Sequence, residues 1–197
     1  MGNYASEIDQ LLQAEPFDQV RLVEFLVDQY YADIYRLALT ILRDHADAED
    51  VAQEALLIVL TRLEQYARGT NFRAWLYTIV VNVSRGYLRK RHRRYSLNRL
   101  LGSLVSIEKP PSTPEEALQR NETELRLWQA VNTLNEKHRL PVILRYAQGL
   151  SIRDIAQILE LSEGTVRSRL YYAVRKLQGR MNLSDIPKLE KRKEVSI

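Results

Sequence analysis

Three carboxylates, Asp47, Asp50 and Glu54, lie within two helical turns of one another, and a cationic run, Lys90-Arg91-His92-Arg93-Arg94, follows later in the chain. Carboxylates so spaced suggest an oxygen-ligand metal site for phosphodiester cleavage, and the cations suggest phosphate binding. A metal site needs further ligands, and no second acidic cluster supplies them. The chain has no cysteine, and His45, His92 and His138 lie far apart without ligand spacing. No catalytic residue, no metal and no cofactor are therefore expected. A magnesium-dependent nuclease using Asp47, Asp50 and Glu54 is the enzyme-class alternative.

These residues need helices to position them. In 197 residues there are only seven glycines, six prolines and no Gly-rich loop, which argues against Rossmann and P-loop folds. Apolar spacing is helical throughout, and the length suits two small domains. The longest apolar run, Ala55 to Leu60, is far too short to span a membrane, and no leader pattern opens the chain. A cytoplasmic protein without membrane insertion is expected.

Charge is segregated. Residues 1–60 carry a net minus 9, residues 61–102 plus 9, residues 103–138 minus 2 and residues 139–197 plus 6, within a total of +4. Like charges concentrated this way call for compensating partners, here two polyanion contacts and one basic partner. Between the charged halves the apolar period fades, and Lys109-Pro110-Pro111-Ser112-Thr113-Pro114 holds three of the six prolines. The sequence therefore predicts a domain over residues 1–94, a flexible linker over 95–122, a second domain over 123–180 and a mobile tail over 181–197. The linker would span at most about 90 Å extended and about 30 Å as a coil.

In the second domain a helix carrying Leu125, Trp128 and Val131 precedes a short helix from Pro141 to Gln148, with Pro141 as its first residue. Ser151 and Asp154 then form a capping-box start, and a tight turn at Leu161-Ser162-Glu163 leads into a helix from about Gly164 to Leu177. On that helix Val166, Leu170, Ala173, Val174 and Leu177 make an apolar stripe. Gly164, Ser168, Tyr171, Tyr172 and Arg175 lie opposite, flanked by Arg167, Arg169 and Lys176. Such a helix-turn-helix suits reading of a DNA major groove.

In the first domain Asp50, Gln53, Glu54 and Leu57 share a face at i, i+3, i+4 and i+7, while Val51, Ala55, Ile58, Val59 and Arg62 share another. An acidic face with an apolar centre suits docking on a basic helical partner. The loop Tyr66-Ala67-Arg68-Gly69-Thr70-Asn71 leads into a helix opened by Phe72, with Trp75, Leu76, Ile79, Val80, Val83 and Tyr87 as its buried stripe. Its other face carries Thr78, Asn82, Arg85 and Arg89. Arg68, Asn71 and the loop aromatics Tyr66 and Phe72 could hold an unstacked base.

Three segments carry a family resemblance: DAEDVAQEA at Asp47 to Ala55, NFRAWLYTIVVNVSRGYLRKR at Asn71 to Arg91, and LPVILRYAQGLSIRDIAQILELSEGTVRSRLYYAVRKL at Leu140 to Leu177. Together the sequence resembles the extracytoplasmic-function sigma factors of bacterial RNA polymerase. The resemblance implies an all-α fold of two helical domains, the second a helix-turn-helix domain, and transcription initiation rather than catalysis. It implies core RNA polymerase, promoter DNA and an anti-sigma factor as partners. It places Asp50, Gln53, Glu54 and Leu57 at the polymerase contact. Tyr66, Arg68, Asn71, Phe72, Thr78, Asn82, Arg85 and Arg89 fall at the minus-ten element, and Thr165, Arg167, Ser168, Tyr171, Tyr172 and Arg175 at the minus-thirty-five element. Tyr172 stands where many members carry a basic residue, and Thr70-Asn71 where an acidic or small pair is frequent, so a promoter sequence does not transfer. A helix-turn-helix regulator of the two-component output type is the binding-module alternative, with the DAEDVAQEA run against it.

Overall fold

The computed structural model describes residues 4–13, 18–67, 70–100 and 122–179, and every regular element within them is a helix. They cluster as two compact units, one over residues 4–100 and one over 122–179.

The first unit holds α1 (Tyr4–Leu11), α2 (Gln19–Leu42), α3 (His45–Arg62) and α4 (Phe72–Leu100). Local chemistry sets the ends. Asp18 caps α2 by accepting the Arg21 N–H at 3.0 Å, and Asp44 caps α3 by accepting the Asp47 N–H at 2.9 Å. Between these helices Arg43 takes a left-handed conformation, φ 57°, and its N–H closes on the Leu39 carbonyl, so the chain reverses in two residues. Asn71 Oδ1 accepts the Ala74 N–H at 3.2 Å and starts α4. The helices α2, α3 and α4 pack pairwise. Where α2 and α3 pack, α2 buries large residues (Leu22, Leu26, Ile34, Leu37, Ile41) and α3 small ones (Ala48, Ala52, Ala55), which let the helix axes approach.

On α4 the buried face differs from the predicted stripe. Leu76, Ile79 and Val80 are buried as expected, but Trp75, Val83 and Tyr87 are half-exposed, and Ala74, Tyr77, Val81 and Ser84 are fully buried as well. The core stripe is rotated because α4 packs against two helices at once, which a one-sided amphipathic pattern does not reveal. Arg62 of α3 is exposed rather than part of the apolar face. The helix α4 runs on to Leu100, six residues into the stretch predicted as linker. The rest of that stretch to residue 121 and the predicted tail lie outside the described residues.

The second unit holds α5 (Glu122–Asn132), α6 (Glu136–Val142), a wide π-turn at Ile143–Ala147, α7 (Ile152–Leu159) and α8 (Glu163–Gln178). Pro141 lies inside α6 and does not open a helix, contrary to expectation. Lacking an N–H, it leaves the Lys137 carbonyl without its usual helical donor, and the backbone widens immediately afterwards, with the Gln148 N–H reaching five residues back to Ile143 at 3.2 Å. Gly149, φ 69°, makes the reversal that follows, and Arg145 holds it by donating to the Leu150 carbonyl at 2.7 Å. The capping box is formed: the Asp154 N–H donates to Ser151 Oγ at 3.1 Å, and the Ser151 N–H to Asp154 Oδ2 at 3.3 Å. Glu160, φ 55°, ends α7, and Ser162 caps α8, giving the tight turn of a helix-turn-helix.

Candidate nucleic-acid interface

The α3 face expected to dock is turned outward. Asp50, Gln53 and Glu54 are exposed, and Leu57 is 63% exposed in their midst. The acid one turn earlier, Asp47, is tied inward to Arg91 of α4 at 3.5 Å. Burial, reinforced by the neighbouring Asp44 carboxylate, pushes the Asp47 carboxyl above its ordinary value, and Arg91 opposes the shift. Among the described residues no three His, Asp or Glu side chains gather into a metal-binding group.

A groove of about 390 Å3 opens between α3 and α4, with Glu54, Ile58 and Arg62 on one wall and Trp75, Asn82 and Tyr87 on the other. Burial first, then the charges of Glu54 and Asp50, raises the Tyr87 phenol above its ordinary value, and the Lys90 ammonium lies 5.3 Å from the Tyr87 ring centre. Thr78 and Asn82 line this groove, so two of the predicted minus-ten residues share it with Glu54. Thr78 donates its hydroxyl to the Ala74 carbonyl at 2.9 Å and keeps acceptor capacity. Asn82 and Arg89 are exposed and Arg85 is half-buried. Trp75 belongs here too; helical spacing alone put it in the core, and its position beside the loop was the signal available.

Two loop residues require correction. Tyr66 is 4% and Phe72 1% exposed, so neither ring offers a face to a base. They pack edge-on at 5.1 Å, and Phe72 continues edge-on to Tyr30 of α2 at 5.2 Å. An aromatic at a loop end serves equally as platform or plug, and here α2 provides the socket. The Tyr66 hydroxyl donates to the Thr70 carbonyl at 2.8 Å, closing the loop. Asn71 is exposed while it caps α4; Arg68 lies outside the described residues.

On α8 the stripes fall as spaced: Val166, Leu170, Ala173 and Leu177 are buried, and Val174 is half-exposed at their edge. Ser168 and Arg175 are exposed, with Tyr171 and Tyr172 58% and 62% exposed. The two tyrosine rings meet edge-on at 5.7 Å, and the Arg175 guanidinium lies 5.8 Å from the Tyr171 ring centre. Arg167 pairs with Glu163 at 2.7 Å, an exposed pair costing only about 0–1 kcal/mol to exchange for another. Thr165 is half-buried, its hydroxyl 2.8 Å from Ser162 Oγ within the helix cap.

Family comparison agrees with this division. Residues 26–94 match Sigma-70 region 2, and residues 124–177 match Sigma-70, region 4. The chain is 32% identical over 174 residues to the RNA polymerase sigma-H factor of Pseudomonas aeruginosa, covering 83% of this chain and 88% of that one. It is 36% identical over 165 residues to the ECF RNA polymerase sigma factor SigL of Mycobacterium tuberculosis, covering 81% and 89%. Among solved structures it is similar to the sigma factor RpoE of Bartonella quintana, solved in complex with the anti-sigma factor NepR, with a TM-score of 0.64, 26% identity and coverage of 80% and 94%. A helical unit with an acidic outer face and a second, helix-turn-helix unit, each matched by its own region, define a sigma-70 subunit. The chain belongs to the extracytoplasmic-function sigma factors. Among the described residues no helix is long and apolar enough to cross a membrane.

Proposed function

We propose that this chain binds core RNA polymerase through Asp50, Gln53, Glu54 and Leu57, nucleates melting at the minus-ten element, and reads the minus-thirty-five element with α8. The observation that carries the reading is the groove between α3 and α4, where Glu54 faces Thr78 and Asn82. Polymerase engaged on α3 then lies one helix away from a strand engaged on α4. Asn71, Asn82, Arg85 and Arg89 supply amide and guanidinium donors to an opened strand, and half-exposed Trp75 replaces Tyr66 and Phe72 as the ring beside it. Stacking of a captured base on an aromatic side chain contributes about 1–3 kcal/mol toward the cost of opening. On α8, Arg167, Ser168, Tyr171, Tyr172 and Arg175 face the major groove, and Thr165 sits with the helix cap at its edge. Similarity to a sigma factor solved with its anti-sigma factor supports an anti-sigma partner here.

Transcription by core polymerase on a randomised promoter library tests this, with defined RNA starts expected only when the chain is added. Glu54→Lys should abolish co-elution with core polymerase while leaving binding to duplex DNA unchanged. Arg167→Ala should do the reverse, weakening promoter binding by about 1–3 kcal/mol. Loss of both functions in each variant would count against the division of labour.

A further inference from the structure

We infer that Glu163, the first residue of α8, is a specificity-determining residue: it holds Arg167 for a two-point contact with a guanine edge and makes the same side chain a poor partner for a bare phosphate. The inference deepens the assignment of α8 as a DNA reader and rests on it.

The helix α8 carries one acid, Glu163, against four cations, Arg167, Arg169, Arg175 and Lys176. An acid at the leading end of a helix that approaches a polyanion repels what the cations attract. Its place is fixed by the cap: Ser162 Oγ accepts the Thr165 N–H at 3.2 Å and sets where the first turn begins. At 100° per residue, Glu163 and Arg167 stand about 40° apart and one turn along the helix, at the edge of the Ser168, Tyr171 and Arg175 face. Their side chains are 43% and 60% exposed, open to a ligand. Arg167 Nη2 nevertheless donates to Glu163 Oε2 at 2.7 Å, the length of a charge-assisted hydrogen bond.

A guanidinium has five N–H groups in a rigid fork. Glu163 occupies one of them on Nη2. Those that remain include the two needed for O6 and N7 of guanine, so the carboxylate stays in place while Arg167 reads that base. It also restricts the directions a long side chain would otherwise sample, which lowers the ordering cost of the contact.

A phosphate contact differs in kind. It draws on net positive charge, and the Glu163–Arg167 pair has none. To neutralise a phosphate Arg167 must leave Glu163, and the phosphate oxygens then lie near a carboxylate of their own sign. Glu163 thus withdraws Arg167 from sequence-independent attraction, which grows with each phosphate neutralised, and leaves its base contact intact. A first-turn acid also suits the helix dipole, a purely structural role that the test must separate.

Binding of the full chain is measured across salt concentrations on two duplexes, one selected by the wild-type chain from a randomised library and one of random sequence. The variants are Glu163→Gln, Arg167→Ala, the two combined, and Glu163→Asp as the charge-conserving control. On random duplex Glu163→Gln should steepen the slope of log affinity against log salt by about 0.9, the value of one further phosphate. Affinity there should rise about two- to fivefold, the upper part of the range for an exposed ion pair. The selected duplex should gain nothing, so discrimination falls by the same factor. With Arg167→Ala in the background, Glu163→Gln should change neither slope nor ratio, and Glu163→Asp alone should behave as wild type. An equal gain with and without Arg167 means that the carboxylate merely repels DNA, and it overturns the inference. So does a glutamine variant that loses thermal stability while slope and ratio stay put, which is the dipole role alone. If the wild-type chain binds neither duplex, the reading of α8 fails and takes this inference with it; selective binding that Glu163→Gln leaves unaltered defeats this inference alone.

Discussion

Arg91 of α4 stands 3.5 Å from Asp47 at the start of α3 while donating to the Leu42 carbonyl at the end of α2, at 3.3 Å from Nη2. One guanidinium thus satisfies an orphan carbonyl at a helix C-terminus and an acid at a helix N-terminus, both placements that the helix dipoles favour. In the sequence Arg91 is one of five residues in a cationic run; in the fold it ties three helices together. Arg91→Ala should lower the stability of the first unit by about 1 kcal/mol, since its interactions are long and partly solvated. Chemical unfolding measures this, and a loss of DNA affinity with unchanged stability would reverse the assignment.

Phe72 is a core residue whose ring lies 5.6 Å from that of Trp75, which lines the groove. Phe72→Ala should destabilise by about 3–5 kcal/mol, as expected for a fully buried ring. Tyr66→Phe keeps the edge-on packing and removes only the hydroxyl bonded to Thr70, so it should cost about 1 kcal/mol. Thermal unfolding of the two variants separates packing from loop closure; equal and small effects would mean that the rings are not the plug described above.

Ser84 is fully buried on α4, and its hydroxyl has no hydrogen-bond partner among the described residues. An unpaired buried hydroxyl is unfavourable, and alanine is the better helix former. Ser84→Ala should therefore stabilise the first unit by about 1 kcal/mol. A destabilised variant, seen as a lower denaturant midpoint, would show that the hydroxyl is paired in solution.

His138 sets a pH dependence in the second unit. Burial, then Lys137, Arg169 and Lys176, hold its imidazole below the ordinary value of 6.5, so the unfolded chain takes up a proton more readily than the folded one. Stability from the neutral imidazole is full above about pH 6.5 and declines as pH falls from there toward the lower folded value. Below that value the loss is complete. Trp128 fluorescence in a Trp75→Phe background follows the second unit alone, and His138→Gln should flatten the dependence. A profile that the substitution leaves unchanged would remove His138 as its source.

How much of this was legible in the sequence depends on the range of the physics involved. Caps and turns are local, so Ser151, Asp154 and the break at Leu161-Ser162 were readable within a few residues. The outward face of α3 was equally plain, because i, i+3, i+4 and i+7 spacing fixes which side chains share a side whatever packs behind them. On α8 the same spacing separated Val166, Leu170, Ala173 and Leu177 from Ser168, Tyr171 and Arg175.

The sequence by itself therefore determined the helical class, the helix-turn-helix, the acidic outward face of α3 and the family. Tertiary structure alone decided which aromatics are plugs and which face the groove, because Phe72 finds its socket in Tyr30, distant in the chain. It also decided that Arg91 binds a helix end, and that His138 meets the cations of α8 where the two helices pack. Burial and charge pairing depend on distances between segments, and a linear pattern carries the period of each helix but not the side from which its neighbours arrive.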